Sequence, residues 1–294
     1  MQAGGLGVQV RGYVALTKPR IVELLVITTV PTMLVAARGL PSGWLILATV
    51  AGGALAAGGA NATNMYLDRD IDAVMGRTRR RPLVTGVVTP GGALTLAVGL
   101  EVLAFFELWL AVNLLSALLA VGATLFYVFV YTMWLKRTSS QNIVIGGAAG
   151  AVPVLVGWSA VTGHLGWTPV VLFAIIFLWT PPHFWALAVR YRKDYAAAGV
   201  PMLPSVTSVE ATARQILAYT VVVAATAVGL TFVAGLGLVY LVPAVVLGGL
   251  FVAYAVDLLR RATPKAAMRL FGYSITYLTV LFVAMAADVV VRHP

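Results

Sequence analysis

Long apolar stretches, most of them close to twenty residues, alternate along the chain with short polar or charged connections. A bilayer core of about 30 Å takes about 20 helical residues. The pattern predicts nine spans, at residues 21–37, 44–67, 91–112, 114–135, 142–161, 168–189, 215–234, 238–259 and 270–291. The first is short, and little more than Asn113 separates the third from the fourth. These runs lack the period-two alternation that a transmembrane barrel requires. The fold class expected is therefore all-α: a polytopic integral membrane protein, with about nine helices bundled around a central cavity. Residues 1–12 carry no apolar core and no small-residue cleavage site follows the first run, so no cleavable signal is expected.

The basic residues order these spans. With the N-terminus cytoplasmic, 18 of the 20 Lys and Arg fall on the cytoplasmic side, leaving only Arg38 and Arg292 outside. That partition predicts N-in and C-out, and the absence of a transit peptide favours a bacterial plasma membrane. Residues 1–20 are then a cytoplasmic segment, 21–291 one transmembrane domain, and 292–294 an external tail. Two cytoplasmic loops are long, about 68–90 and 190–214. They follow spans two and six, and each runs into a Pro-containing apolar tag, Arg81-Pro82-Leu83 or Val200-Pro201-Met202-Leu203-Pro204. This reads as a duplicated four-helix unit framing a cavity, with the ninth helix unmatched.

Composition narrows the class. At 61% apolar and 10% charged, with a mean hydropathy of +0.95, the chain lies far from a soluble domain's roughly 45–50% and 25%. The absence of cysteine excludes disulfides, thiolate metal sites and cysteine nucleophiles. A net charge of +10 in a membrane protein points to basic loops or an anionic substrate, with no nucleic-acid partner expected.

Three of the ten acidic residues, Asp68, Asp70 and Asp72, lie within five positions, and Asn64 precedes them inside an apolar span. The form N-x3-D-x3-D puts Asn64, Asp68 and Asp72 on one helix face, spread over about 12 Å. That suits one or two Mg²⁺ ions laid along a diphosphate, because Mg²⁺ takes few carboxylates and completes its shell with water and phosphate oxygens. Asp70 points elsewhere. Arg77, Arg79, Arg80 and Arg81 follow, placed to grip phosphate oxygens by forked donation. The plain alternatives are a solvated helix end and an ordinary positive-inside loop. An intramembrane polar residue argues for the functional reading.

The segment 64–86, NMYLDRDIDAVMGRTRRRPLVTG, resembles the first signature of the UbiA superfamily of intramembrane prenyltransferases. Three further segments are similar to its heme-modifying branch: 131–157 (YTMWLKRTSSQNIVIGGAAGAVPVLVG), 179–189 (WTPPHFWALAV) and 194–204 (DYAAAGVPMLP). With Lys18-Pro19-Arg20, the resemblance runs from Lys18 to the ninth span. It implies a bundle open laterally to the lipid bilayer and Mg²⁺-dependent farnesyl transfer from farnesyl diphosphate to a vinyl group of heme B. The heme O so formed serves terminal oxidases, with heme A synthase or oxidase assembly factors as further partners. It also implies Asp194 as a fourth metal-site residue, and Lys136, Arg137 and Lys193 as further diphosphate contacts. Many superfamily members carry a second D-x3-D here, whereas Ala198 stands four residues after Asp194.

His183 follows Pro181-Pro182 inside the sixth span. It either meets heme, by iron or propionate, or caps carbonyls freed by the prolines. Tyr66, Phe126, Tyr127, Tyr131, Trp179 and Phe184 are candidates to face a carbocation or to pack. Glu101 and Glu107, six apart and so on different faces, have no assigned role, and His164 and His293 are taken as bystanders. The alternatives are transfer to an aromatic or quinone precursor, a secondary transporter, and a heme-handling subunit without chemistry.

Overall fold

The computed structural model describes residues 5–292, without the side chains of residues 20, 21, 22 and 24. His293 and the side chain of Arg20 therefore lie outside the described residues. Among the described residues every regular element is a helix. In order it comprises α1 (Leu6–Leu16), α2 (Pro19–Ala37), α3 (Gly43–Leu67), α4 (Arg69–Val74), α5 (Pro90–Ala111) and α6 (Leu114–Leu125). A π-helical segment (Phe126–Leu135) and α7 (Lys136–Thr138) complete the fourth span. Then come α8 (Asn142–Thr162), α9 (Trp167–Arg190), α10 (Arg192–Ala197), α11 (Leu203–Val206), α12 (Val209–Ala234), α13 (Leu238–Arg261) and α14 (Pro264–Arg292). Among the described residues, eight helices are long and apolar enough to cross a bilayer, and the protein is an integral multi-pass membrane protein.

The predicted first span corresponds to α2, whose apolar stretch Leu25–Ala37 is shorter than the other eight. Its ends nevertheless reach opposite faces of the bundle. Lys18, just before α2, bonds Asn64 at the end of α3, while Arg38, just after it, shares a pocket with Arg292 at the end of α14. The tight connection at Asn113 also holds: its Oδ1 accepts from the Ser116 amide and caps α6, and its Nδ2 donates to Ser159 O. The N-terminal segment, to which hydropathy assigns no element, forms the helix α1. Its Gly12 is seated against Val87 and Val88, where a methyl would come within 2.8 Å of a side chain.

The duplication shows in the elements. Each long loop opens with a six-residue helix set off from its span by one residue, α4 after Asp68 and α10 after Tyr191. In the first unit α3 packs on α5, and in the second α9 packs on α12. Helix α14 is packed on α13, α9 and α2. The large apolar core belongs to the second unit and α14, from Leu172 through Phe251 to Val289. The first unit holds only small clusters around Leu16 and Leu108. A cavity of about 550 Å³ lies where the two units meet, lined from α2, α3, α6, the π segment, α8, α9 and the two long loops.

Candidate active site

The cavity has a charged end and an apolar end. At the charged end Lys18, Asn64, Asp72, Arg77, Arg81 and Lys136 line it. Away from it the wall is built of small and apolar side chains, among them Leu25, Ala56, Ala60, Ala120, Val152 and Ile176. Gly53 and Gly150 keep this wall thin.

Asn64, Asp68 and Asp72 form one row. The helix breaks at Asp68 (φ −91°, ψ 3°), yet the i to i+4 bonds run on from Asn64 O to Asp68 N (2.9 Å) and from Asp68 O to Asp72 N (2.8 Å). The shared face therefore survives the break, and all three residues are buried. Hydroxyl chemistry sets the direction of the Asn64 amide. Thr132 Oγ1 spends its only proton on Tyr127 O (2.9 Å) and so must accept from Asn64 Nδ2 (3.1 Å). That nitrogen also donates to Asp68 Oδ2 (2.7 Å). Asn64 Oδ1 is thus left as an acceptor, held by Lys18 Nζ at 3.2 Å.

Each member of the row has a cation beside it. Lys136 Nζ pairs with Asp68 Oδ2, and Arg81 Nη1 lies 2.5 Å from Asp72 Oδ2. Asp68 Oδ1 is buried with no hydrogen-bond partner among the described residues, and Arg137 Nη2 stands 3.9 Å away. Lys18 sits at φ 50°, a left-handed conformation that costs an L-residue energy. Burial, with Arg81 and Lys136 nearby, pushes its ammonium down to about 7. Cations outnumber carboxylates around the row, so the pocket is short of negative charge.

These donors fit Mg²⁺. They are hard oxygens, two carboxylates and an amide, with Asp68 Oδ1 unclaimed. No group of three His, Cys, Asp or Glu side chains exists among the described residues to trap a metal without a substrate. Such a sparse set leaves most of an octahedral shell to phosphate and water.

The remaining sequence candidates separate by position. Arg77 lines the cavity and lies over the Tyr191 ring at 5.6 Å, bridging the two long loops. Arg79, Arg80 and Lys193 are exposed and outside the lining. Arg137 is also outside it, its guanidinium forking onto both oxygens of Asp70 at 2.8 Å. That fork holds the Asp70 carboxyl at about 2. Asp194 is not in the cavity wall; a methyl on Gly76 would sit 3.6 Å from its Oδ2, so the acid of the second loop abuts the first. His164 is exposed in a connection between α8 and α9.

His183 lines the same cavity from α9. Its Nδ1 meets Ser274 Oγ at 2.7 Å, and it makes no hydrogen bond to a carbonyl among the described residues, so it does not cap the turn freed by the prolines. Ser274 Oγ donates its proton to Phe271 O (2.7 Å) and must accept from His183. The ring therefore carries its proton on Nδ1 and presents the Nε2 lone pair. It is stacked on Trp179 with centroids 4.3 Å apart, and Trp179 Nε1 donates to Ser274 O at 2.8 Å. Tyr127, Tyr131, Trp179 and Phe184 line the cavity, while Tyr66 and Phe126 are outside the lining.

Sequence reasoning passed over Asn61, Thr132, Ser274 and the Lys18 amine as site groups. Asn61 was detectable in principle, being a second buried Asn in an apolar span that also lines the cavity. The other three depend on contacts 46 to 91 residues apart in sequence.

The chain matches the UbiA prenyltransferase family over residues 25–285. It is 58% identical over 280 residues to the protoheme IX farnesyltransferase of Parafrankia sp. (strain EAN1pec), covering 94% of this chain and 90% of that one. Identity is 57% to the protein of the same name from Frankia alni, with 97% and 100% covered. To the one from Streptomyces avermitilis it is 52%, with 97% and 96% covered. The fold is similar to a solved structure described as digeranylgeranylglyceryl phosphate synthase (TM-score 0.79, 17% identity, 96% and 99% covered). It is also similar to a UbiA homolog from Archaeoglobus fulgidus bound to DMAPP and Mg²⁺ (TM-score 0.67, 17% identity, 95% and 99% covered). Sequence match, shared fold and a row of oxygen ligands beside a cavity agree, and the chain belongs to the UbiA prenyltransferase family.

Proposed function

We propose that this protein transfers a farnesyl group from farnesyl diphosphate to a vinyl group of heme B, giving heme O. One observation carries the reading: the oxygen row with its cations and the Trp179–His183 pair open onto a single apolar cavity. The name shared by these relatives, protoheme IX farnesyltransferase, agrees with it.

Asn64 Oδ1, Asp68 and Asp72 are the residues to hold Mg²⁺, which when bound would neutralise diphosphate charge and assist its departure. Lys18, Arg77, Arg81 and Lys136 grip the phosphate oxygens. On substrate binding Lys136 and Arg81 trade their carboxylates for phosphate, freeing Asp68 and Asp72 for the metal. Charge stabilisation of this kind is fixed in place before the allylic C–O bond breaks. The allylic cation then meets the vinyl π electrons of heme, the cation moves onto the carbon next to the ring, and water adds there. Small apolar side chains exclude water during the first half, when it would give farnesol. Tyr127 and Tyr131, stacked with centroids 5.3 Å apart, offer ring faces to the cation. His183 Nε2 is the group to meet heme. Asp194, at Gly76, steadies the loop that carries Arg77 and Arg81. Arg79, Arg80, Arg137 and Lys193 act by attracting the anionic substrate to this face. We place the protein in a bacterial plasma membrane with its N-terminus and this charged end cytoplasmic, from the partition of Lys and Arg.

The test is pigment extraction from a heterologous membrane that has heme B and farnesyl diphosphate but no heme O. Heme O on expression of the chain is the expected result, and heme B alone from a well-inserted protein overturns the reading.

A further inference from the structure

Hydration of the heme-side cation releases a proton, and the row at the diphosphate end is poorly placed to take it, since the reading above commits Asp68 and Asp72 to holding Mg²⁺. Glu101 lies outside the cavity lining, one hydrogen bond behind it. Its Oε1 accepts a 3.1 Å hydrogen bond from Thr124 Oγ1, and Thr124 lines the cavity. A methyl on Gly59 would come within 2.7 Å of Glu101 Oε1, so the carboxyl occupies space that glycine alone leaves on α3. Gly59 is five residues before Asn64, about 7.5 Å deeper along the helix. The carboxyl therefore lies deeper in the bundle than the oxygen row, behind Thr124 on the cavity wall.

We propose that Glu101, acting through the Thr124 hydroxyl, takes up the proton released when water adds to the cation on the farnesylated heme side chain. This rests on the heme-farnesylation reading above. The water oxygen donates its lone pair to the cationic carbon and forms the C–O bond. One of its protons passes to Thr124 Oγ1 as the Thr124 proton passes to Glu101 Oε1. The product is a neutral alcohol, and the Glu101 carboxylic acid returns its proton to water as product leaves. Without this relay the cation loses a proton from the adjacent CH₂ to the departing diphosphate and becomes an alkene, one water lighter.

The experiment supplies purified wild type, Glu101→Gln, Thr124→Val and Thr124→Ser with heme B and farnesyl diphosphate. Hydrated and dehydrated farnesyl heme are then separated by mass, across pH. General-base assistance is worth about 10²-fold or more, so the hydrated-to-dehydrated ratio falls by about that factor in Glu101→Gln and Thr124→Val. Thr124→Ser restores it. A purely structural role for Glu101 lowers yield and stability and leaves the ratio alone, which overturns the relay. Should Glu101→Gln not insert, the Val and Ser variants at Thr124 decide. A wild type that makes no farnesylated heme overturns the functional reading and the relay with it. A wild type that makes it, in the ratio its variants also give, overturns the relay alone.

Discussion

Asn64 and His183 owe their orientation to hydroxyl groups that have no proton left to give. Thr132 fixes the amide so that its oxygen faces Lys18, and Ser274 fixes the imidazole so that Nε2 is free. Removing Ser274 leaves a buried ring nitrogen unpaired, at a cost of about 1–3 kcal/mol, and releases the tautomer. Ser274→Ala is therefore expected to weaken heme B binding in the same direction as His183→Ala. A spectroscopic heme titration measures both, and unchanged heme affinity in both variants would remove the heme role of His183. Asp68→Asn and Asp72→Asn keep the shape of the row and remove its charge. Each is expected to lower heme O formation about 10²-fold or more with insertion intact; turnover near wild type in both contradicts a metal role. The spacing of Asn64, Asp68 and Asp72 was readable from sequence because helical periodicity is local. Their hydroxyl and ammonium partners were not, because those arrive from other helices.

At the scale of elements, hydropathy placed most of the spans within a few residues, since a bilayer dictates helix length and apolar content together. What it leaves out has physical causes. Residues 6–16 form a helix because Gly12 and Leu16 find cover on the first long loop, a tertiary effect. The π segment is invisible to hydropathy, because its residues are as apolar as those of an α-helix. It nevertheless brings Thr132 under Asn64 and lines the cavity with Tyr127 and Tyr131. Glu101 and Glu107 look divergent on a helical wheel, yet both side chains reach α3, into the notches at Gly59 and Gly52. Tyr131 is held by Gly146 on α8, where a methyl would lie 2.9 Å from Tyr131 Cγ and closer still to the ring edge. Gly146→Ala is expected to destabilise the fold by about 1–3 kcal/mol through overpacking and to push Tyr131 into the cavity. A thermal-unfolding measurement paired with a KM for farnesyl diphosphate checks it: Tm falls and KM rises. Unaltered values for both contradict the packing described.

For the molecule as a whole, two four-helix units and α14 surround a cavity whose charged end gathers the oxygen row and its cations. The absence of cysteine makes the proposed topology directly testable. A single cysteine replacing Arg79 is expected to react with a membrane-impermeant maleimide only in inverted vesicles. One replacing His164 is expected to react only in right-side-out cells. The reverse pattern contradicts the N-in orientation. The charged end also explains why substrate, metal and row must be considered together: Lys136 and Arg81 pair with Asp68 and Asp72, and a bare diphosphate would compete with the carboxylates for them. The most direct measurement is binding of farnesyl diphosphate to the purified protein by calorimetry, with Mg²⁺ and with chelator, in wild type and in Asp68→Asn and Asp72→Asn. Tight binding that needs Mg²⁺ in the wild type, and loses that dependence in both variants, is expected. Equal affinity with and without Mg²⁺ in the wild type would contradict the account at its centre.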